Sequence, residues 1–136
     1  MQKPERLIRR SSKRRDGLEE LVGWTSWRLL ARGREWFDHL FDYDGPSCYE
    51  LGTGGSRGGD IQPHYIGETI NEQARMAQYA CHGSHLSKTI DWHLKEGWCL
   101  YYRGYQVASK TKAVAMQNRM LAQFRYDWND KLNRGD

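Results

Sequence analysis

At 136 residues the chain has the length of one domain, which excludes a two-domain enzyme carrying its own cofactor fold. Apolar residues make up 38% and mean hydropathy is −0.90, yet 6 Trp, 8 Tyr and 3 Phe supply enough bulky surface for a modest core, so wholesale disorder is excluded too. The net charge of +4 is concentrated at one end: residues 1–15 carry Lys3, Arg6, Arg9, Arg10, Lys13, Arg14 and Arg15 against Glu5 alone, so a polyanion such as nucleic acid would be held chiefly by this arm.

No apolar run approaches the roughly 20 residues of a membrane span, and the basic start is not followed by the apolar stretch of a secretory signal. The expectation is a protein of the cytoplasm with no membrane contact. Cys48, Cys81 and Cys99 are odd in number and form no C-x-x-C pair, which fits neither a disulfide framework nor a zinc ribbon and points to a reducing compartment.

After the arm, expected to be flexible over 1–15, apolar residues between Asp16 and Asp42 (Leu18, Leu21, Val22, Leu29, Leu30, Trp36, Phe37, Leu40, Phe41) recur at three- and four-residue steps. This predicts a helical extension over 16–44, bent at Gly23 and Gly33. Asp44-Gly45-Pro46 closes it as a turn, and Ser47 to Leu51 should be a strand. The glycine-rich stretch 52–60 lacks the Lys-Ser/Thr ending of a phosphate-binding loop, and it reads as a hairpin connection to a second strand, Gln62 to Gly67. Thr69 with Glu72 predicts a capping box and a helix from about Ile70 to Tyr79. Ser84 should cap a helix burying Leu86, Ile90 and Leu94 and ending at Gly97; a third strand follows over Trp98 to Tyr102. Ser109 then opens a last helix with Ala113, Met116, Met120 and Phe124 on its buried stripe. The expected fold is α+β: a small three-stranded antiparallel sheet flanked by helices, with an N-terminal helical extension, a core over 45–130 and a tail over 131–136.

Two tyrosines on adjacent strands, Tyr49 and Tyr65, could place two phenols near one phosphate, and Arg75 on the next helix could donate paired hydrogen bonds to its oxygens. Taken singly, the tyrosines read equally well as half-buried sheet aromatics and Arg75 as a solvated helix residue. Gly45-Pro46-Ser47-Cys48-Tyr49, Tyr65-Ile66-Gly67, Arg75 ten residues after Tyr65, and Asp127-Trp128-Asn129 after the final helix together resemble the GIY-YIG nucleases. The likeness covers roughly Gly45 to Asn129, with Cys48-Tyr49 standing where the family has Ile-Tyr or Val-Tyr. The resemblance implies hydrolysis of phosphodiester bonds in double-stranded DNA, with Tyr49 as base, Tyr65 as supporting phenol and Arg75 as phosphate clamp. It also brings in Tyr79, where relatives carry His or Tyr, and His85, which could assist the leaving group. Arg9, Arg10, Lys13, Arg14, Arg15, Lys88 and Asn129 are the expected DNA contacts, with Arg103 a further phosphate contact.

The family's metal-binding glutamate is replaced here by Gln117, four residues after Ala113. An amide keeps the shape and one carbonyl ligand but loses the charge, so Mg²⁺ (or Mn²⁺) should bind weakly. The exchange reads either as a deliberate Glu-to-Gln inactivation or as native to a degenerate member. A compact core without an added DNA-binding module resembles the restriction enzymes of the family more than its homing or repair members, and cutting both strands suggests a homodimer. The rivals are a non-catalytic DNA-binding protein on the same fold and a partner-binding protein that docks through residues 16–42.

Overall fold

The computed structural model describes residue 13 and residues 21–37, 42–56, 59–81 and 84–129. Of the basic arm only Lys13 falls among them; Arg9, Arg10, Arg14 and Arg15 lie outside. Lys13 is exposed, but its carbonyl accepts from the Arg125 amide at 2.7 Å and its ammonium lies 5.5 Å from the Phe124 ring centre. The C-terminal tail also lies outside the described residues.

The strands are β1 (Arg28–Arg32), β2 (Glu35–Trp36), β3 (Ser47–Gly54), β4 (Gln62–Thr69) and β5 (Cys99–Gln106), and the described helices are α1 (Glu72–Ala80), α2 (Ser87–Lys95) and α3 (Lys110–Gln123). One antiparallel sheet of five strands runs in the order β2-β1-β5-β3-β4, two strands wider than expected. The added pair is the correction to the helical extension: β1 and β2 form a hairpin with Arg32 opposite Glu35. Gly33, taken as a helix bend, holds φ +60° at the first turn position, where a two-residue hairpin needs a residue tolerant of positive φ. β1 then pairs with β5, which buries Leu30 and Ala31.

β3, central between β5 and β4, is buried along its whole length. Side chains alternate across the sheet. Tyr49, Leu51, Tyr65, Leu100 and Tyr102 join Met76, Tyr79, Leu86 and Ile90 of the α1–α2 region, while Cys48 and Ile66 pack with Met120, Phe124 and Tyr126 on the α3 side. α1 starts later than the capping box implied, because Asn71 is the cap and its side chain accepts from the Ala74 amide at 3.0 Å. Thr69 braces that cap instead, its hydroxyl accepting from the Asn71 amide and donating to the Asn71 carbonyl, both at 3.1 Å. Ser84 likewise stabilises the approach to α2 through the Leu86 amide without capping it, whereas Ser109 does cap α3. Among the described residues no helix is long and apolar enough to cross a membrane.

The outer edge of β4 is closed by a side chain. Asn129 accepts from the Ile66 amide and donates to the Ile66 carbonyl, both at 2.9 Å, as a neighbouring strand would. Asp127 reinforces the closure by accepting from His64 Nδ1 at 2.9 Å, while His64 Nε2 meets the Thr53 hydroxyl at 2.8 Å and the imidazole stacks on Trp128.

Candidate active site

The pairing of β3 with β4 sets Tyr49 opposite Gly67, two positions from Tyr65 and on the same face of the sheet. That glycine is required by packing: a Cβ on it would lie 2.6 Å from Cζ and Oη of Tyr49 and 2.9 Å from Cε2 of Tyr65. The two rings fill the space instead, their centroids 6.2 Å apart. Gly67→Ala is expected to lower stability by about 2 kcal/mol through overpacking, read as a lower urea midpoint at unchanged slope. A midpoint equal to the parent's would mean the rings yield freely.

Above the rings lies α1, whose pitch sets Arg75 and Tyr79 one turn apart on one face. The hydroxyls of Tyr49 and Tyr79 share a hydrogen bond of 2.7 Å, and Arg75 Nη1 donates to Tyr49 Oη at 3.3 Å. From the approach to α2, His85 brings Nε2 to 3.3 Å from the Tyr65 hydroxyl. Tyr49, Tyr65, Arg75, Tyr79 and His85 therefore form one cluster at the sheet surface, assembled from β3, β4, α1 and the α1–α2 connection.

Access divides the cluster. Tyr49 and Tyr79 are 0% and 1% exposed, Tyr65 is 6% exposed, Arg75 is half-buried and His85 is exposed. Burial raises the pKa of all three phenols above the usual tyrosine value, with neighbouring phenol charge adding to the rise at Tyr65 and Tyr79. The His85 pKa is lowered, first by partial burial and then by the Arg75 guanidinium, so the imidazole is neutral at neutral pH and Nε2 can accept the Tyr65 proton.

A model of GIY-YIG domain-containing proteins matches residues 24–135. The chain belongs to the GIY-YIG domain family. No curated protein and no solved structure matches the chain. A nuclease-type function goes with the family, and the matched span takes in the β1–β2 hairpin as well as the tyrosine cluster.

Three expected site residues of this GIY-YIG domain sit elsewhere. Asn129, read as a DNA contact, is buried with its amide engaged at β4. Arg103 is buried as well: Nε donates to Glu50 Oε1 at 3.0 Å, and the guanidinium lies 4.6 Å from the Trp27 ring centre, so it is an ion-paired core residue and not a phosphate contact. Gln117 approaches β4 from α3, where its Nε2 donates to the Ile66 carbonyl at 3.5 Å, the same oxygen that Asn129 engages. Lys88 is exposed on α2.

The donor set at Gln117 does not fit the divalent cation implied by the resemblance. Mg²⁺ takes oxygen ligands and is held through at least one carboxylate, whereas Gln117 offers one neutral oxygen and turns its nitrogen to a carbonyl. Among the described residues no group of three His, Cys, Asp or Glu is placed to hold a metal. Sequence reasoning missed the Thr53–His64–Asp127 chain and the Glu50–Arg103–Tyr126 network, both of which join residues more than 50 positions apart. A lone carboxylate in an otherwise apolar strand, Glu50 within Cys48–Leu51, was the one available signal for the second.

Proposed function

We propose that this GIY-YIG domain is a DNA endonuclease of site-specific, restriction type, attenuated by Gln117. What supports the reading is the cluster itself: one half-buried guanidinium, one accessible neutral imidazole and a phenol hydrogen-bonded to it, converging on a single surface. In this reading the resident Mg²⁺ or Mn²⁺ of the family binds weakly. Double-stranded DNA is held by the basic arm and Lys88, and two copies cut the two strands. Gln117 also favours a second reading, a DNA-binding protein that has lost catalysis.

The proton path runs through Tyr65 and His85. As a water molecule gives its proton to Tyr65 Oη, the phenol passes its own to His85 Nε2, and the resulting hydroxide attacks phosphorus. The bond from phosphorus to the leaving sugar oxygen breaks, and that oxygen takes a proton from solvent. Arg75 presents its planar fork to the non-bridging oxygens on which charge accumulates. In this reading Tyr49, expected as the base, acts as a positioning residue: its hydroxyl is shut from solvent, and it fixes Arg75 together with Tyr79.

The test is plasmid nicking by the Gln117→Glu form across roughly pH 5 to 8. A base must be unprotonated, so the rate should rise with pH as His85 loses its proton. Because its pKa lies below the ordinary 6.5, the plateau should be reached by neutral pH. His85→Ala should remove the rising limb and lower the plateau by about 10². A flat profile, or full activity in His85→Ala, would overturn the path.

A further inference from the structure

α2 carries an exposed ridge of which the proposed function uses Lys88 alone. Lys88, Trp92 and Lys95 are spaced four and three residues apart on one face, all exposed, and Trp92 has 58% of its surface in solvent. His85 lies three residues before Lys88 and bonds the Tyr65 hydroxyl, so the ridge leads directly away from the candidate centre. Beside Trp92 opens a recess of about 390 Å³ lined by Lys88, Thr89, Trp92 and His93.

The exposed indole is held in place from below. His93 meets it edge-on with centroids 4.9 Å apart, and His93 is itself fixed by Nδ1 donating to the Thr89 carbonyl at 2.8 Å and by packing 5.2 Å from the Trp128 ring. Asp91, the single acid of α2, lines a different groove, with Arg34, Trp36 and Lys95 beside the β1–β2 hairpin. The recess thus combines a preset aromatic face with a cation and no carboxylate. Solvent-exposed aromatic surface with flanking cations suits unstacked bases and their phosphates.

We propose that this ridge is a nucleotide clamp: Lys88 and Lys95 hold backbone phosphates of the strand leaving the centre, and Trp92 stacks on a base of that strand that has left the duplex and entered the recess. It rests on the reading of the domain as one that acts on DNA. Continuity with His85 and the Lys88 ammonium beside the ring favour a nucleic-acid strand over a protein partner.

The test compares the affinity of the full chain for a short paired duplex and for the same duplex carrying one unpaired base. The clamp predicts about tenfold tighter binding to the second, with the ratio falling to about one in Trp92→Ala and largely kept in Trp92→Phe. A 2-aminopurine at the unpaired position should be quenched by the parent and by Trp92→Phe but not by Trp92→Ala. Lys88→Ala should weaken binding to both DNAs and reduce the salt slope by about one. A ratio of one in the parent, or a ratio that survives Trp92→Ala, overturns the clamp. If the Gln117→Glu form nicks duplex DNA while the ratio is one, only the clamp falls; if the chain binds neither DNA, the endonuclease reading falls with it.

Discussion

Gln117→Glu is expected to raise the nicking rate at least about a hundredfold in Mg²⁺ and to leave it unchanged in chelator, because a charged metal ligand is worth on the order of 3 kcal/mol at a transition state where charge accumulates. The amide nitrogen of Gln117 now faces the Ile66 carbonyl. A carboxylate at that place would supply the charged oxygen ligand for a hard cation that the present residue withholds. Mn²⁺ binding followed by electron paramagnetic resonance should tighten in step, which separates metal capture from catalysis. Tight DNA binding with no cleavage by either form would establish the non-catalytic reading.

Arg75→Ala, made in the Gln117→Glu form, is expected to lower cleavage by about 10³, the cost of removing a principal electrostatic donor. Arg75→Lys should recover little, because an ammonium cannot reproduce the planar fork that meets Tyr49 on one side and leaves further N–H groups for phosphate oxygens. Loss of the bond to Tyr49 should cost about 1 kcal/mol of stability, too little to unfold the domain. Circular dichroism and the urea midpoint verify this before rates are compared. Cleavage at the parent rate would remove Arg75 from the chemistry.

The parts of this arrangement legible in the sequence are those governed by local rules. The turn at Asp44-Gly45-Pro46 and the glycine-rich stretch 52–60 marked where β3 and β4 lie, and Ser109 marked the start of α3. The β1–β2 hairpin was misread because Leu29, Leu30 and Trp36, on two short strands around a turn, fall by chance at helical steps; only the positive φ of Gly33 distinguishes the cases, and no periodicity reports it. Thr69 fits the capping-box pattern as well as Asn71 fits a plain cap, and the longer β4 decided between them. Arg103 and Asn129 looked like surface residues because their partners, Glu50 and Ile66, are 53 and 63 positions earlier, beyond any local pattern. The same distance hides access: nothing in the motif says that Tyr49 is sealed and Tyr65 reaches His85.

The bond between Asn129 and Ile66 sets a timetable for biosynthesis. A chain made from its N-terminus completes β3, β4 and their hairpin while 63 residues separate the bare flank of β4 from the amide that covers it. During that interval the Ile66 amide and carbonyl stand on an open strand edge without the side chain that covers them, a feature on which chains can pair wrongly. Translation pauses placed between β4 and α3 should therefore reduce soluble yield more than pauses placed before β3, and a chaperone that shields strand edges should restore it.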